Sequence, residues 1–257
     1  MATSPSQLVV IDGCKRRWWF EKVRRLEKGS TFKQDFGTGL HALLAAHLLG
    51  VKPEDGWDKP LVAEEVTKAD ILLHKAIDAG WLERRPGQLV EHWFEIAVGT
   101  EIVNGRIDLI QPPDHRPGSV EDHKTTTARK WAKKGEDLRK DIPMMAYAGF
   151  LFRKFPDSAT CFLRHNQFIM EDLSLDRAEC EVTRDECRQF WMDRIIPNMN
   201  AMNSVRSIER WEDVPGHPEG AAPCKAYGGC PFRTICHLGV PIEKYGQRVA
   251  DAGGAPF

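Results

Sequence analysis

Two short segments carry most of the information about the fold: Gly105-Arg106-Ile107-Asp108-Leu109-Ile110 and Val120-Glu121-Asp122-His123-Lys124-Thr125. The first lies in Glu101–Gln111, which alternates and is rich in β-formers, and the second follows a turn-rich loop, so each predicts a strand. Side chains on a strand alternate between its faces, so Asp122 and Lys124 project together and Glu121 and His123 point the other way. If the two strands pair, Asp108 can approach Asp122, and two partly buried acids repel each other unless a divalent cation neutralises them. The pattern therefore predicts a site for Mg²⁺ or Mn²⁺ with Lys124 beside it.

A structural explanation of the same residues also exists. Asp108 and Asp122 could be acids at the ends of a hairpin, with Lys124 as their salt-bridge partner, and this is the more frequent meaning of a short acid-x-Lys string. Residues elsewhere in the chain are needed to choose between the two interpretations.

The flanking pattern predicts alternating helices and strands. Helices are expected at Ser4–Lys28, Val62–Ala79 and Asp141–Phe155, and another is expected to follow a Gly37-Thr38-Gly39 turn and to reach Leu49. A last helix is expected to begin at a Thr183/Glu186 capping box and to run toward Ile196, where Pro197 is expected to kink or end it. Strands are expected at His92–Val98 and Glu101–Gln111, which form a hairpin around Gly99-Thr100, at Ser119–Thr125 and at Ala159–Ile169. Loops are expected at Gly50–Lys59 and Pro112–Gly118, a linker at Glu209–Pro223, and a loose tail from Gly246.

Composition narrows the functional classes. The 257 residues are 42% hydrophobic and 28% charged, which is typical of a chain that folds around a core. Lys and Arg number 36 against 37 Asp and Glu, so any contact with nucleic acid must use a local patch. No run of about 20 apolar residues is present and Met1–Val10 does not resemble a secretory signal, so we expect no membrane partner and a reducing cytosol.

Two basic segments contain aromatic residues. In the first, seven Lys and Arg residues between Lys15 and Lys28 surround Trp18, Trp19 and Phe20; in the second, six between Arg129 and Lys140 surround Trp131. Either segment could pair phosphate charge with stacking surface. The alternatives are a basic helix face with core aromatics for the first and a solvated loop for the second.

Cysteines are grouped near the C-terminus. Cys224, Cys230 and Cys236 are each separated by five residues, and in a reducing compartment such a group suggests a soft metal centre. Three thiolates are one short of a closed site, and spacing alone leaves Cys14, His237 and the middle cysteines as candidates for the fourth ligand. Cys161, Cys180 and Cys187 lie in strand and helix patterns and are expected to be packing residues.

The whole set of motifs resembles the PD-(D/E)XK nuclease superfamily, and its RecB-like branch in particular. The core motif of that superfamily resembles Asp108 followed, after thirteen residues, by Asp122-His123-Lys124. The upstream histidine motif of the branch resembles Phe36-Gly37-Thr38-Gly39-Leu40-His41. The resemblance implies that His41, Asp108, Asp122 and the carbonyl of His123 bind metal and that Lys124 is catalytic. Ala146-Tyr147-Ala148 resembles a downstream helix motif and makes Tyr147 a candidate, but Pro143 stands where a glutamine is usual. Glu95 is a weaker candidate for a first-strand acid.

The same resemblance implies an iron-sulfur cluster. Cys14 with Trp18-Trp19-Phe20 is similar to an N-terminal motif of that branch, and Gly229-Cys230-Pro231-Phe232-Arg233 with Cys236 to a C-terminal one. The implied ligands of a [4Fe-4S] cluster are Cys14, Cys224, Cys230 and Cys236, with zinc as the competing metal.

Together these expectations describe one α/β nuclease domain over residues 1–257. Its restriction-endonuclease-like core, residues 36–208, has a mixed central sheet flanked by helices, and the cluster-bearing segments are 1–35 and 209–245, with a flexible tail at 246–257. The expected activity is Mg²⁺- or Mn²⁺-dependent hydrolysis of DNA, as an exonuclease on single-stranded or end-bearing DNA, in recombination, repair, phage replication or CRISPR adaptation. No Walker loop is present, so unwinding would need a helicase partner. The alternative is a catalytically silent DNA-binding or adaptor module of the same fold.

Overall fold

A computed structural model describes residues 2–26, 32–52, 63–114, 116–225 and 229–245. The predicted tail and most of the predicted loop at Gly50–Lys59 lie outside these ranges. Within the described ranges, the helices are all too short or too polar to cross a membrane. Contacts divide the chain into two compact units, one of residues 1–5 and 30–194 and the other of residues 6–29 and 195–257. The predicted boundaries of core and cluster-bearing segments stay predictions.

The first unit is built on a mixed sheet of six strands, which confirms the predicted α/β class. The strands are β1 (Ala2–Thr3), β2 (Leu89–Val98), β3 (Glu101–Gln111), β4 (Gly118–Thr126), β5 (Thr160–Ile169) and β6 (Ser174–Thr183). β1 pairs with β3 and β4 pairs with β5 in parallel, whereas the pairs β2–β3, β3–β4 and β5–β6 are antiparallel. β6 was not among the predicted strands. Its buried residues alternate with exposed, mostly acidic ones, which weakens the β signal.

Helices α3 (Phe32–Leu49) and α4 (Ala63–Asp78) pack together on one part of this sheet. Leu40, Leu44 and Leu72 are fully buried there in a cluster that includes Leu109 of β3 and Phe168 of β5. The predicted turn at Gly37-Thr38-Gly39 is wrong, because α3 runs through it without interruption. A Cβ atom at Gly37 would lie 3.0 Å from Thr125 Oγ1, so the glycine permits a close approach of α3 to β4 rather than a turn.

Helices α5 (Gly135–Leu138), α6 (Ile142–Lys154) and α7 (Arg184–Phe190) complete the first unit. α6 packs on β4 and β5, and its N-terminus is capped by Asp141, whose carboxylate accepts a hydrogen bond of 3.0 Å from Met144 N–H. The predicted Thr183/Glu186 capping box opens α7. α7 leads into a π-helical turn at Trp191–Ile195, and the indole N–H of Trp191 donates to the carbonyl of Met145 over 3.0 Å.

Gly149 of α6 is the position where this packing is tightest. A Cβ atom there would lie 2.5 Å from Trp191 Nε1, and an indole ring cannot move aside without losing its hydrogen bond. We expect Gly149→Ala to lower the free energy of unfolding by about 1–3 kcal/mol, measured by urea denaturation. Gly13→Ala is the control, since a Cβ atom at Gly13 meets nothing within 4 Å; equal stability losses in the two variants would contradict the packing argument.

The second unit contains α1 (Pro5–Gly13), α2 (Lys15–Lys22), α8 (Ile196–Arg206), α9 (Ala222–Lys225) and α10 (Arg233–Leu238). The single predicted N-terminal helix is therefore two helices, divided at Cys14, which caps α2 through its sulfur. The helix does not end at Pro197: the π-helical turn at Trp191–Ile195 continues directly into α8, whose first turn contains Pro197.

Trp18, Trp19 and Phe20 form the core of the second unit, each at most 2% exposed. Phe20 contacts Phe232 with ring centroids 5.2 Å apart, and the indole of Trp19 donates to the carbonyl of Ile208 over 2.9 Å. They are the core aromatics of a basic helix, so the interpretation in which they stack on nucleic acid is wrong. The predicted linker is also packed: Arg16 donates to the carbonyl of Val214 over 2.8 Å.

Candidate metal centre and cysteine pocket

The site is formed where β3 and β4 separate. Their ladder covers only residues 109–111 and 119–121, and just beyond it the Asp108 carboxylate accepts a 2.7 Å hydrogen bond from the backbone N–H of His123. The acid thus takes the place of the next ladder bond and is held at the gap between the strands. Because the N–H and carbonyl of a strand residue point to the same side, the His123 carbonyl is directed to this gap as well.

Asp122 and Lys124 project together from β4, as the alternation predicts. Lys124 Nζ lies 3.0 Å from Oδ1 and 2.8 Å from Oδ2 of Asp122, but its direction suits a hydrogen bond to Oδ1 alone. Among the described residues, no hydrogen bond of good geometry reaches the buried Oδ2. Burial opposes the charge on Lys124, yet Asp122 and Asp108 outweigh it and raise the pKa of the amine. Lys124 is therefore protonated beside two carboxylates.

His41 and Glu91 approach Asp108 from two other elements. His41, on α3, places Nδ1 3.6 Å from Asp108 Oδ2. One ligand atom each from His41, Glu91 and Asp108 lie within 4.8 Å of one another. Burial first, and then the charge of Asp108, raises the pKa of the Glu91 carboxyl. An imidazole beside two carboxylates that repel each other is a donor set that suits a divalent cation.

Glu91 was missed by sequence reasoning, which considered Glu95 instead. Glu95 is exposed, lies four residues beyond Glu91 along β2, and accepts a 3.4 Å hydrogen bond from the Trp93 indole. Glu91 has φ of 49°, in the left-handed region that a non-glycine residue rarely adopts. This strained backbone lies beside the cluster, which is where such conformations concentrate in functional sites.

Two further residues surround the acids. His165 of β5 is directly paired with Asp122 in the parallel ladder, and its Nε2 lies 3.4 Å from Asp122 Oδ2. Tyr147 of α6 is buried against Phe94, with ring centroids 5.7 Å apart. Burial, followed by the charges of Asp122 and Asp108, raises the pKa of the Tyr147 hydroxyl. Tyr147 is therefore close to the acids, and Pro143 lies in the first turn of the same helix.

The basic segment after β4 is short and structured, with a 3₁₀ turn at Arg129–Trp131 followed by α5. Lys133 forms an ion pair with Asp141, and its backbone N–H donates to Gln167 over 2.6 Å. The Trp131 side chain is 67% exposed, and the Lys130 amine lies 5.2 Å from its ring centroid. The segment therefore presents an aromatic ring and cations to solvent.

In the second unit, all four predicted cysteine ligands line one small pocket: Cys14, Cys224, Cys230 and Cys236. Arg16, His217 and His237 line it too, and His237 Nε2 lies 3.8 Å from the Cys224 sulfur. Burial raises the pKa of the Cys236 thiol to about 11, although Arg16 opposes the shift. Four thiols that converge in this way match the donor set of a soft metal centre.

The sulfur atoms do not form a compact trio. Within the part of the chain that the structure describes, no three of them lie within 4.8 Å of one another. A tetrahedral zinc ion, with zinc–sulfur bonds of about 2.3 Å, holds its sulfur ligands about 3.8 Å apart. The four thiols are therefore not in the compact arrangement that a bound zinc ion imposes.

Comparison with known proteins gives a family match. The model of the PD-(D/E)XK nuclease superfamily matches residues 2–237, which include every residue of the two sites described above. No curated protein matches the sequence significantly.

Two solved structures are similar to this chain. The chain is 15% identical to a candidate exonuclease from Eubacterium rectale, with a TM-score of 0.52 and 86% of each chain covered. It is 16% identical to the protein SSO0001, with a TM-score of 0.44 and coverage of 93% of this chain and 87% of that one. At this identity the first of these likenesses supports a common fold and nothing finer.

Proposed function

Since the chain belongs to the PD-(D/E)XK nuclease superfamily, we propose that it is a metal-dependent deoxyribonuclease that hydrolyses phosphodiester bonds. We further propose that it belongs to the RecB-like branch and acts as an exonuclease on single-stranded or end-bearing DNA. The observation that carries this proposal is the convergence of His41, Glu91 and Asp108 within 4.8 Å, next to Asp122 and Lys124.

The donor set fits Mg²⁺ or Mn²⁺. The proposed ligands are His41, Glu91, Asp108, Asp122 and the carbonyl of His123. A divalent cation bound there would lower the pKa of a water ligand and neutralise charge on the phosphate. The buried Oδ2 of Asp122, which no good hydrogen bond reaches among the described residues, supports its role as a ligand.

Lys124 supplies the remaining chemistry. Its protonated amine is anchored on Asp122 and its side chain is 53% exposed, so it can reach a bound phosphate. From there it orients the attacking water and balances the negative charge that develops on the phosphate oxygens. The His165 imidazole lies 3.4 Å from Oδ2 of the Asp122 carboxylate, and Tyr147 of α6 packs against Phe94.

The direct test uses labelled linear and circular single-stranded DNA, each incubated with Mg²⁺ or Mn²⁺. We expect the linear strand to be degraded and the circular strand to survive. Cleavage of both forms would replace the exonuclease proposal with an endonuclease. Intact DNA under every metal condition would favour the alternative of a catalytically silent DNA-binding or adaptor module. A helicase, recombination or CRISPR-adaptation protein as partner remains a proposal of the same kind.

The cysteine pocket is proposed to hold a [4Fe-4S] cluster on Cys14, Cys224, Cys230 and Cys236. The convergence of four thiols in one pocket supports a soft metal centre, and the resemblance to the iron-sulfur motif favours the cluster over zinc. Cys14 and Cys224 are far apart in sequence, and a link between them closes a long loop and restricts the unfolded chain, so the cluster would have a mainly structural role.

We expect Cys14→Ser to lose the brown colour, iron and sulfide of the anaerobically purified protein and to lower its melting temperature, because three thiolates leave the centre incomplete. Cys180→Ala is the control, since Cys180 lies on β6 in the other unit. A colourless wild-type preparation with stoichiometric zinc would assign the pocket to zinc instead.

A further inference from the structure

A pocket of about 530 Å³ opens directly beside the proposed metal ligands. One wall is α3, with Ala42, Ala45 and Leu49, and the opposite wall carries Glu91 and Arg106 of the β2–β3 hairpin. The volume lies in the range of pockets that take up small organic ligands.

The pocket shares two residues with the metal trio, because His41 and Glu91 line both. A phosphate bound at the trio would therefore have its own sugar or base at the mouth of the pocket. The α3 wall is apolar, with side chains of a single carbon at Ala42, Ala45 and Ala46, and so offers a surface against which a planar ring can lie.

Positive charge and an aromatic ring stand at the rim. Lys52 and Arg106 line the pocket, and Arg106 Nη1 lies 3.4 Å from a Glu91 carboxylate oxygen. Trp93 is directly opposite Arg106 in the β2–β3 ladder and is 55% exposed. Directly paired residues share one face of a sheet, so Trp93 and Arg106 project to the same side. Exposed aromatic rings next to cations are the usual contact surface for single-stranded nucleic acid.

We propose that this pocket receives one unpaired nucleotide of a DNA strand whose neighbouring phosphate lies at the metal trio, and that Trp93 and Arg106 hold the nucleotide that follows. The inference rests on the proposed function and deepens it, since it assigns the residues that bind the unpaired nucleotides beside the metal ligands. A base within a duplex is stacked and paired, and it must be extruded at a cost before it can enter such a cleft. The pocket therefore selects frayed or single-stranded ends over blunt duplex.

The test measures DNA binding in the absence of metal by fluorescence anisotropy, with single-stranded oligonucleotides that carry one abasic nucleotide at successive positions. We expect wild-type affinity to fall about 10-fold when the abasic nucleotide occupies the pocket. Ala45→Leu, which fills the pocket, should lower the affinity for the intact strand by a similar factor and remove the dependence on that base. Trp93→Ala changes an exposed residue and should weaken binding without unfolding the protein.

Ala79→Leu is the matched control, because Ala79 is exposed just beyond α4 and outside the pocket; it should bind as wild type does. If Ala45→Leu and Trp93→Ala also bind as wild type does, while the wild-type protein cleaves DNA, the pocket assignment is wrong and the proposed function stands. If the wild-type protein shows the base-dependent binding that Ala45→Leu lacks but cleaves nothing with Mn²⁺, the pocket assignment stands and the nuclease proposal is wrong.

Discussion

We expect Lys124→Ala to lower the rate of DNA cleavage with Mn²⁺ by at least about 100-fold, because the variant lacks a group that stabilises developing charge. The Lys124 amine lies 3.0 Å from Asp122 Oδ1. Among the described ion pairs, no other lysine or arginine contacts the Asp122 carboxylate and could replace it. DNA binding should change far less, because one cation contributes only part of the attraction to a polyanion. The measurement is the single-turnover rate on a labelled linear strand, with affinity determined separately.

Lys68→Ala is the matched control for this experiment. Lys68 also forms an ion pair with an acid, 2.6 Å from Glu64, and is similarly exposed at 40%, but it lies on the outside of α4. Its loss should leave the cleavage rate unchanged. A Lys124→Ala variant that cleaves DNA at the wild-type rate would contradict the catalytic role of Lys124 and favour the alternative of a catalytically silent DNA-binding or adaptor module.

The hairpin shows how far the sequence alone could have gone. A two-residue turn at Gly99-Thr100 pairs Val98 with Glu101, and the same register continues to Val90 and Leu109. Continued by one residue on each strand from the pair Val90–Leu109, the same register places Glu91 opposite Asp108. Extending the predicted strand by one residue beyond His92 would therefore have identified the additional acid, since residues that face each other across an antiparallel pair share one face.

Other features required the tertiary structure. Gly37 and Gly39 predict a turn by composition, and only the contact with Thr125 reveals that a glycine was needed inside a helix. A histidine on a leucine-rich helix carries no metal signal from its own pattern, so His41 was predicted only through the family resemblance, and its distance of 3.6 Å from Asp108 is seen only in the structure. The local sequence pattern predicted most of the helices and strands. The metal site depends on the long-range approach of α3 to the sheet.

Glu121 illustrates the same dependence on the sheet. It points away from Asp122 and is only 2% exposed, yet it carries a charge. Its carboxylate accepts hydrogen bonds from Ser119 (2.9 Å), Arg164 (3.1 Å) and Asn166 (2.9 Å), and Arg177 lies 3.6 Å away. Asn166 in turn lies 3.3 Å from His123 Nδ1, so the network supports the residue whose backbone holds Asp108.

Glu121→Ala should therefore destabilise the protein by about 3 kcal/mol, because it leaves Arg164, Asn166 and Ser119 without their shared acceptor. The value lies at the lower end for a broken buried pair, since both arginine side chains keep contact with solvent, at 20% and 24% exposure. For a chain of this size the melting temperature should fall by about 6–12 °C. Glu179→Ala is the control: Glu179 also pairs with Arg164 but is 40% exposed, so its loss should cost less than about 1 kcal/mol.

The pH dependence of stability provides a second readout of the same network. Burial acts to raise the pKa of Glu121, but Arg164, Arg177 and the Asn166 hydrogen bond outweigh it, and the pKa lies below its ordinary value of 4.5. A carboxyl whose folded pKa is depressed contributes stability above its unfolded pKa, and this contribution is lost as the pH falls through the folded pKa. The free energy of unfolding of the wild-type protein should thus decline below about pH 4.5. The difference in this free energy between the wild-type protein and Glu121→Ala should become smaller as the pH falls. A gap that stayed constant from neutral pH into this acidic range would show that Glu121 contributes by packing rather than by its charge.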